Sequence, residues 1–202
     1  MSEIQVDTVS EKTAASGVTV DGVVVKDSGL TIPSGGTLTV ASGGTLANSG
    51  TVTGIGLFSS YAIIADQKAS GTDGGTFTLG DWRERDLQTE LADPDGIVSI
   101  ALNRFTLAAG TYLIRWYAAA NITSQSQTRL YNVTDAAVVG VGMCVYAYYP
   151  AETGGSARTT IAGSKAFSIE HRCSNTRATD GFGDDCNFGS EQYTTVEIFK
   201  EA

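Results

Sequence analysis

The residues that could carry nucleophilic or metal chemistry lie toward the C-terminus. The chain has one histidine, His171, and three cysteines, Cys144, Cys173 and Cys186. A serine or cysteine nucleophile activated by histidine would have to use His171. In a strand, His171 and Cys173 would share one face, and Cys186 and Asp184 would complete a zinc ligand set. Their spacing matches no zinc signature, so we interpret them as structural residues.

The state of the cysteines is open on sequence grounds. Their odd number excludes a fully paired disulfide scaffold within one chain. Cys173 and Cys186 are either free or bridged across the loop between them, and a bridge would form once the protein leaves a reducing compartment. Cys144 lies in an apolar run, and we expect it to be a buried thiol.

An acidic, glycine-rich loop follows His171, with the sequence DGFGDD at residues 180–185. Calcium takes oxygen ligands, so Asp180, Asp184 and Asp185 are the candidate metal ligands. The loop lacks the residue order of an EF-hand, and acidic glycine loops are usually solvated turns. We therefore predict no metal and no cofactor. Glu84 and Asp86 stand beside arginines on one predicted strand face, which we interpret as a solvated or interface face and not as a glycosidase pair.

Composition narrows the class of protein. The 202 residues carry a net charge of −9, which argues against nucleic-acid binding. No apolar run reaches the roughly 18–20 residues that span a membrane, so we expect no membrane insertion. The first residues lack the basic start and apolar core of a secretory signal, and we expect synthesis in a cytoplasm. Short runs of Thr, Val and Tyr with 24 glycines and 3 prolines predict an all-β protein.

A repeat at residues 30–57 predicts a β-helical stalk. The sequence SGGTL at residues 34–38 returns at 42–46, and a shortened copy follows at 49–52. Short regular periods of this kind are typical of solenoids, in which each unit stacks on the next. A flexible linker is the alternative, although the regular return of apolar residues argues against it. These stalk residues are Leu30, Ile32, Leu38, Val40, Leu46 and Val52.

So few coils bury too little apolar surface to offset the ordering of their backbone. Sister copies around a common axis would supply the missing contacts, so we predict a homotrimer. Residues 1–29 are also too few for a core of their own, and we predict an anchor that orders by docking on sister chains or on a larger partner. The apolar residues of this anchor are Ile4, Val6, Val9, Val18 and Val20.

Residues 58–202 predict an antiparallel jelly-roll sandwich of eight or more strands. The predicted strands are residues 61–66, 76–79, 97–107, 111–120, 128–131, 137–149, 159–171 and 193–200, and residues 82–87 also alternate.

Several of these strands are apolar on both faces. Ile64, Leu113 and Tyr117 alternate with residues that would already fill the core. The second face either packs on sister subunits or lies under a loop, and we favour the sister subunits. Leu113, Tyr117, Tyr146 and Tyr148 are therefore the predicted trimer-interface residues of this domain.

Three motifs within residues 82–114 carry a resemblance to a known family. They are WRERDL at 82–87, DPDGIVS at 93–99 and NRFTLAAGTYLI at 103–114. This region resembles the C-terminal knob of tailed-phage fibre and virion-surface proteins, which is similar to the trimeric C1q/TNF-like jelly roll. The element F-x-L-x-x-G-x-Y-x-I is its most diagnostic part.

Further segments extend the resemblance over residues 3–27 and 61–200. The last predicted strand, TVEIF at residues 195–199, resembles the closing strand of the family, and residues 11–23 resemble segments of phage appendage proteins. The resemblance implies a trimer on a virion, with a phage capsid or tail protein as the second partner.

Two classes of function fit these observations. The first is a structural virion protein, either a capsid decoration (cement) protein or a short fibre. Its alternative form is a receptor-binding tail fibre that contacts a glycan or protein of the host surface. The second class is a polysaccharide depolymerase, which needs a carboxylate pair in a groove, and the sequence offers no such pair. We therefore predict a protein that is not an enzyme.

Overall fold

The structure, a computed structural model, describes Thr39 and residues 58–201. Every residue named above for the anchor and the stalk lies outside the described residues, so those two predictions remain predictions. The described part contains strands and loops and no helix. Its strands are β1 (Phe58–Lys68), β2 (Arg83–Glu84), β3 (Thr89–Ala92), β4 (Val98–Ala101), β5 (Arg104–Leu107), β6 (Gly110–Ala120), β7 (Ser124–Asn132), β8 (Ala137–Ala147), β9 (Ala151–Ile161), β10 (Lys165–Cys173) and β11 (Glu191–Glu201).

These strands form two antiparallel sheets. The first has the order β3-β1-β11-β6-β9, and the second has the order β4-β5-β10-β7-β8, with β2 added on β10. The first and last strands pair at the centre of the first sheet, where Ile63 lies opposite Glu197. The chain passes repeatedly between the sheets, so sequence neighbours are rarely sheet neighbours. This order is that of a jelly roll, and it confirms the predicted all-β antiparallel sandwich.

The core lies between the two sheets and follows the period-2 alternation of the strands. In β6, Tyr112, Ile114 and Trp116 are buried, as the alternation of residues 111–120 predicts. Phe105 of β5 and Phe167 of β10 stack in the same core with ring centroids 5.6 Å apart. The indole N–H of Trp116 donates a hydrogen bond to Thr128 Oγ1 at 2.8 Å, so its one polar atom is satisfied.

Of the predicted strands, one is wrong entirely and two are wrong in part. Residues 76–79 make a single bridge, from Phe77 to Arg177, and no strand. Residues 97–107 form a hairpin, because Leu102 and Asn103 both adopt positive φ values, of 53° and 64°, and reverse the chain. Residues 159–171 are interrupted by a turn between β9 and β10.

The burial of two residues is also the opposite of what the sequence predicted. Ile64 was expected on the outer face of β1, but it is fully buried in the core and Tyr61 and Ile63 lie on the outer face instead. Cys144 was expected to be buried, but it is exposed because its side of β8, the edge strand, is not covered.

A close approach of β8 and β9 leads to a first testable prediction. A Cβ on Gly155 would lie 2.5 Å from Cζ2 of Trp116 and 2.9 Å from Cα of Gly142. We expect Gly155→Ala to lower the free energy of unfolding by about 1–3 kcal/mol, because the added methyl group overpacks a filled core. Urea denaturation measures this. The control is Gly163→Ala, where a Cβ meets no atom within 4 Å. Equal stability of the two variants would contradict the prediction.

Candidate functional site

The outer face of the first sheet carries a row of apolar side chains across three strands. Tyr61 of β1 lies opposite Phe199 of β11, and Phe199 lies opposite Leu113 of β6. Phe58 adds a fourth apolar group, with its ring centroid 5.1 Å from that of Phe199. We call Tyr61, Phe199 and Leu113 the apolar row. It exists because β1, β6 and β11 each carry an apolar residue on the face that does not enter the core.

Charged residues flank the apolar row and are paired with one another. In the next position along the strands, Arg115 lies opposite Glu197, and their side chains form an ion pair at 3.4 Å. Arg115 also donates a hydrogen bond to the hydroxyl of Tyr117 at 2.6 Å. On the other side, Arg158 binds Glu201 at 2.6 Å. The face is thus an apolar band with a polar rim, which is the usual anatomy of a protein interface.

A second apolar surface lies along the edge strand β8. Val138, Val141 and Met143 are 47%, 59% and 70% exposed, and we call them the β8 edge. A groove of about 410 Å³ brings Val141 and Met143 beside Arg115 and Tyr117, with Gly154 and Gly155 as its floor. An exposed apolar edge strand offers unpaired backbone groups on which another chain can pair.

The structure separates the four predicted interface residues into two places. Leu113 and Tyr117 lie half-buried on the outer face of the first sheet, as predicted. Tyr146 and Tyr148 lie at the end of β8 and in the turn after it, 60% and 66% exposed, with ring centroids 6.3 Å apart. They line a different groove, beside Asn175.

Other residues of this surface were not predicted. Tyr61 and Phe199 belong to the apolar row, and Met143 belongs to the β8 edge. The alternation of each strand contained the signal for all three residues. What the sequence lacked was the choice of face. A strand with apolar residues on both sides does not indicate which side is the core.

A buried cation organises the interior at one end of the sandwich. Arg85 has no exposed surface. Its guanidinium donates to Thr194 Oγ1 at 2.7 Å, to the carbonyls of Phe182 and Tyr193 at 2.9 Å each, and to the carbonyl of Ala119 at 3.1 Å. Its Cζ lies 4.2 Å from the centroid of the Phe182 ring. Burial lowers the pKa of Arg85 to about 10, against the opposite influence of two aspartates.

The single histidine lies next to this cation and is also buried. Its Nε2 is 2.9 Å from Ser126 Oγ, and its ring centroid is 4.6 Å from that of Phe77. Its Nδ1 has no hydrogen-bond partner among the described residues. A serine–histidine pair is thus present, but it lacks the carboxylate that orients a catalytic histidine. Because Ser126 and His171 are 3% and 0% exposed, a substrate does not reach them.

The cysteines do not assemble around this histidine. Cys173 is buried on the same side of β10 as His171, as predicted, and its thiol donates to the carbonyl of Asn175 at 3.3 Å. Burial raises the pKa of Cys173, which disfavours the thiolate that binds zinc or attacks a substrate. Cys186 is exposed, and no disulfide joins it to Cys173. This geometry supports the structural interpretation of these residues over the zinc site.

The burial of His171 leads to a prediction on pH. Burial first, and the charge of Arg85 second, lower the pKa of His171 well below its ordinary value of 6.5. Below pH 6.5 the unfolded chain therefore binds a proton that the folded chain does not. The free energy of unfolding should fall as the pH falls, by up to about 1.4 kcal/mol per pH unit.

The control for this pH effect is His171→Gln, which keeps a polar group of similar size without a titrating ring. Urea denaturation from pH 7 to about 5 should show a shallower dependence in the variant than in the wild type. The difference between the two curves cancels the contribution of the carboxylates. Parallel curves would contradict the prediction.

The three aspartates predicted as candidate metal ligands do not lie together in the acidic loop. Asp180 is buried and binds Arg177 through two hydrogen bonds, of 2.8 and 2.7 Å. The hydrogen bonds from Arg177 lower the pKa of Asp180. Asp184 and Asp185 instead group with Asp73, with carboxylate oxygens within 4.8 Å of one another. Within the described part of the chain these three residues form a group that could hold a cation, but an acidic cluster alone does not identify a metal site.

No helix that could cross a membrane occurs in the part of the chain that the structure describes.

The solved structures that are similar to this chain include the following three. The globular domain of zebrafish complement 1qA protein has 13% sequence identity and a TM-score of 0.47, over 69% of this chain and 95% of that one. Murine APRIL at pH 8.0 has 8% identity and a TM-score of 0.46, over 70% of this chain and 98% of that one. Eiger TNF from S. frugiperda has 12% identity and a TM-score of 0.47, over 70% and 92%. No family model and no curated protein sequence matches the chain.

Proposed function

We propose that this chain is a non-enzymatic structural protein of a tailed-phage particle and that three copies associate through the jelly-roll domain. One observation carries the association: a single copy presents two different apolar surfaces, the apolar row and the β8 edge. Soluble monomers rarely leave such surfaces open to water. A groove joins Met143 of the β8 edge to Tyr117, which lies on the same sheet face as the apolar row.

The two surfaces differ, and this favours a ring. Contact between the apolar row of one copy and the β8 edge of the next is heterologous, and repeated heterologous contacts close into a ring or extend into a filament. A ring of three matches the trimer that the sequence resemblance implies. It also supplies the sister copies that the predicted stalk at residues 30–57 requires.

The phage assignment is supported by the motifs at residues 82–114 and by the predicted anchor at residues 1–29. In this proposal the anchor binds a capsid or tail protein, and the jelly-roll domain faces solvent. Linking three anchors raises the effective concentration of each, so weak single contacts hold the protein on the particle. The place of action is then the virion.

Electron microscopy of particles with an antibody against residues 58–202 tests this role. Label over the whole shell would identify a decoration protein, and label at the tail alone would identify a fibre. Particles that carry no label would overturn the assignment to the virion. A screen on host polysaccharides tests the non-enzymatic part, since release of reducing ends by the purified chain would show a depolymerase.

A further inference from the structure

A groove on the outer face of the second sheet is not used by the association surface. It has a volume of about 370 Å³, within the range of roughly 300–1,000 Å³ found for small-molecule sites. We call it the Trp82 groove. Outward-facing side chains of this groove come from the loop before β2, from strands β7, β8 and β10, and from the loop after β10: Trp82, Gln125, Gln127, Cys144, Arg172 and Ser174.

The register of the strands explains why these side chains meet. Arg172 of β10 lies opposite Gln127 of β7, and Gln127 lies opposite Cys144 of β8. Gln125, two residues before Gln127, lies opposite Tyr146 of β8. All of them are outward-facing, because β7 alternates between core and surface along its length. The groove floor is therefore set by three hydrogen-bonded strands.

Trp82 is the aromatic wall of this groove. The guanidinium carbon of Arg129 lies 4.2 Å from the centroid of its ring, and Arg129 is held by an ion pair with Glu170. The indole is thus fixed from one side by a cation–π contact. A fixed aromatic plate binds flat, partly apolar groups at low entropic cost, and the C–H face of a sugar ring is such a group.

The polar groups of the groove keep free hydrogen-bonding capacity. Gln127 donates through Nε2 to the carbonyl of Gly142, which leaves its Oε1 as an acceptor. Gln125 accepts through Oε1 from Ser174 and Ser124, which leaves its Nε2 as a donor. Donors and acceptors beside an aromatic plate fit a ligand rich in hydroxyl groups.

The charge of the groove specifies the ligand further. The other arginines on this face are paired, Arg104 with Glu84 at 2.7 Å and Arg129 with Glu170 at 2.5 Å. Arg172 is exposed and forms no ion pair with the described residues. A guanidinium in this state binds a carboxylate through two parallel hydrogen bonds.

We propose that the Trp82 groove binds a carboxylate-bearing oligosaccharide, with a sugar ring against Trp82, its carboxylate on Arg172 and its hydroxyls on Gln125 and Gln127. A second groove shares Ser174 with it and continues to Tyr146 and Tyr148, so further sugar units have aromatic contacts along the same surface. The site deepens the display role proposed above by giving the exposed domain a ligand. Its test does not depend on the assembly state, so the two proposals fail separately.

The experiment applies the full chain to an array of oligosaccharides that carry uronic or sialic acids, with neutral oligosaccharides beside them. Binding is then measured by tryptophan fluorescence. The chain has two tryptophans, and Trp116 is fully buried, so a ligand-dependent change reports on Trp82. We expect acidic oligosaccharides to bind and neutral ones to bind at least about tenfold more weakly, the loss expected for one charge-assisted contact.

Variants locate the binding. Trp82→Ala and Arg172→Gln should each weaken it about tenfold or more. Arg104→Gln, on the same face outside the groove, should leave it unchanged. A groove variant that misfolds would also lose binding, so a further measurement leaves the groove unchanged. In a Cys186→Ser background, the acidic oligosaccharide should slow the alkylation of Cys144 by N-ethylmaleimide.

Three results would overturn the proposal. The first is binding to no acidic oligosaccharide on the array. The second is equal affinity of wild type, Trp82→Ala and Arg172→Gln. The third is protection of Cys144 by a polyglutamate peptide but by no oligosaccharide, which would assign the groove to an acidic protein segment.

Discussion

Replacing Leu113 by aspartate should separate the jelly-roll domains of the associated protein. Leu113 is the β6 member of the apolar row, with Phe199 beside it on β11. Burial of a leucine contributes about 1.5–3 kcal/mol per contact, and a carboxylate placed in the same contact adds an unpaired charge. We expect the dissociation constant to rise at least about a hundredfold. Sedimentation velocity of the full chain measures it.

The matched control is Leu102→Asp. Leu102 is 89% exposed in the β4–β5 turn, away from both apolar surfaces, and its positive φ of 53° suits aspartate. Circular dichroism should show the folded spectrum for both variants, because Leu113 points away from the core. A Leu113→Asp variant that associates as tightly as Leu102→Asp would contradict the role of the apolar row.

The predicted stalk could hold the copies together after their jelly-roll domains separate, and sedimentation would then show no dissociation. A local measurement on the jelly-roll domain therefore complements sedimentation. Thr195 lies opposite Tyr117 on the outer face of the first sheet. In a background of Cys144→Ser and Cys186→Ser, a Thr195→Cys variant should react slowly with maleimide. Adding Leu113→Asp should make it react fast. Equal reaction rates with and without Leu113→Asp would show that this face is open to solvent in the wild type.

Replacing Arg85 by methionine should cost more stability than any surface change. The variant keeps the length of the side chain but leaves the carbonyls of Ala119, Phe182 and Tyr193 without their donor. Loss of one side of a buried charged network costs about 3–5 kcal/mol. For a chain of this size we expect a fall in Tm of roughly 10 °C, measured by thermal unfolding.

The matched control for Arg85 is Arg104→Met. Arg104 forms an ion pair with Glu84 at 2.7 Å, but the pair is exposed to solvent, and such pairs contribute less than about 1 kcal/mol. Arg85→Lys separates charge from geometry, because lysine keeps the cation and loses the fork that reaches four acceptors. We expect it to be nearly as unstable as the methionine variant. Equal Tm values for the two arginine-to-methionine variants would contradict the prediction.

The strand pattern was predictable where alternation and turn residues agreed. β6 begins at Gly110, and its buried and half-buried residues alternate as the sequence indicates. The turn before it was expected to close a hairpin with the preceding strand, but β5 and β6 lie in different sheets and do not pair. The hairpin at Leu102 and Asn103 was missed because no glycine or proline marks it. The two residues adopt positive φ without that signal.

The buried polar centre and the grooves could not be predicted for a different reason. The alternation of residues 82–87 puts Arg85 opposite Glu84 and Asp86, but it does not say which side is the core. The acceptors that make burial tolerable come from residues 119, 182, 193 and 194. Asp73 joins Asp184 and Asp185 from a distant loop in the same way. Such sites depend on contacts between segments far apart in sequence, which periodicity does not report.

Self-association of the jelly-roll domain is the central claim, and the mass of the full wild-type chain in solution tests it most directly. We predict that sedimentation equilibrium at low micromolar concentration gives three times the 21.0 kDa of one chain. A folded species of 21.0 kDa that persists as the concentration is raised would contradict the claim.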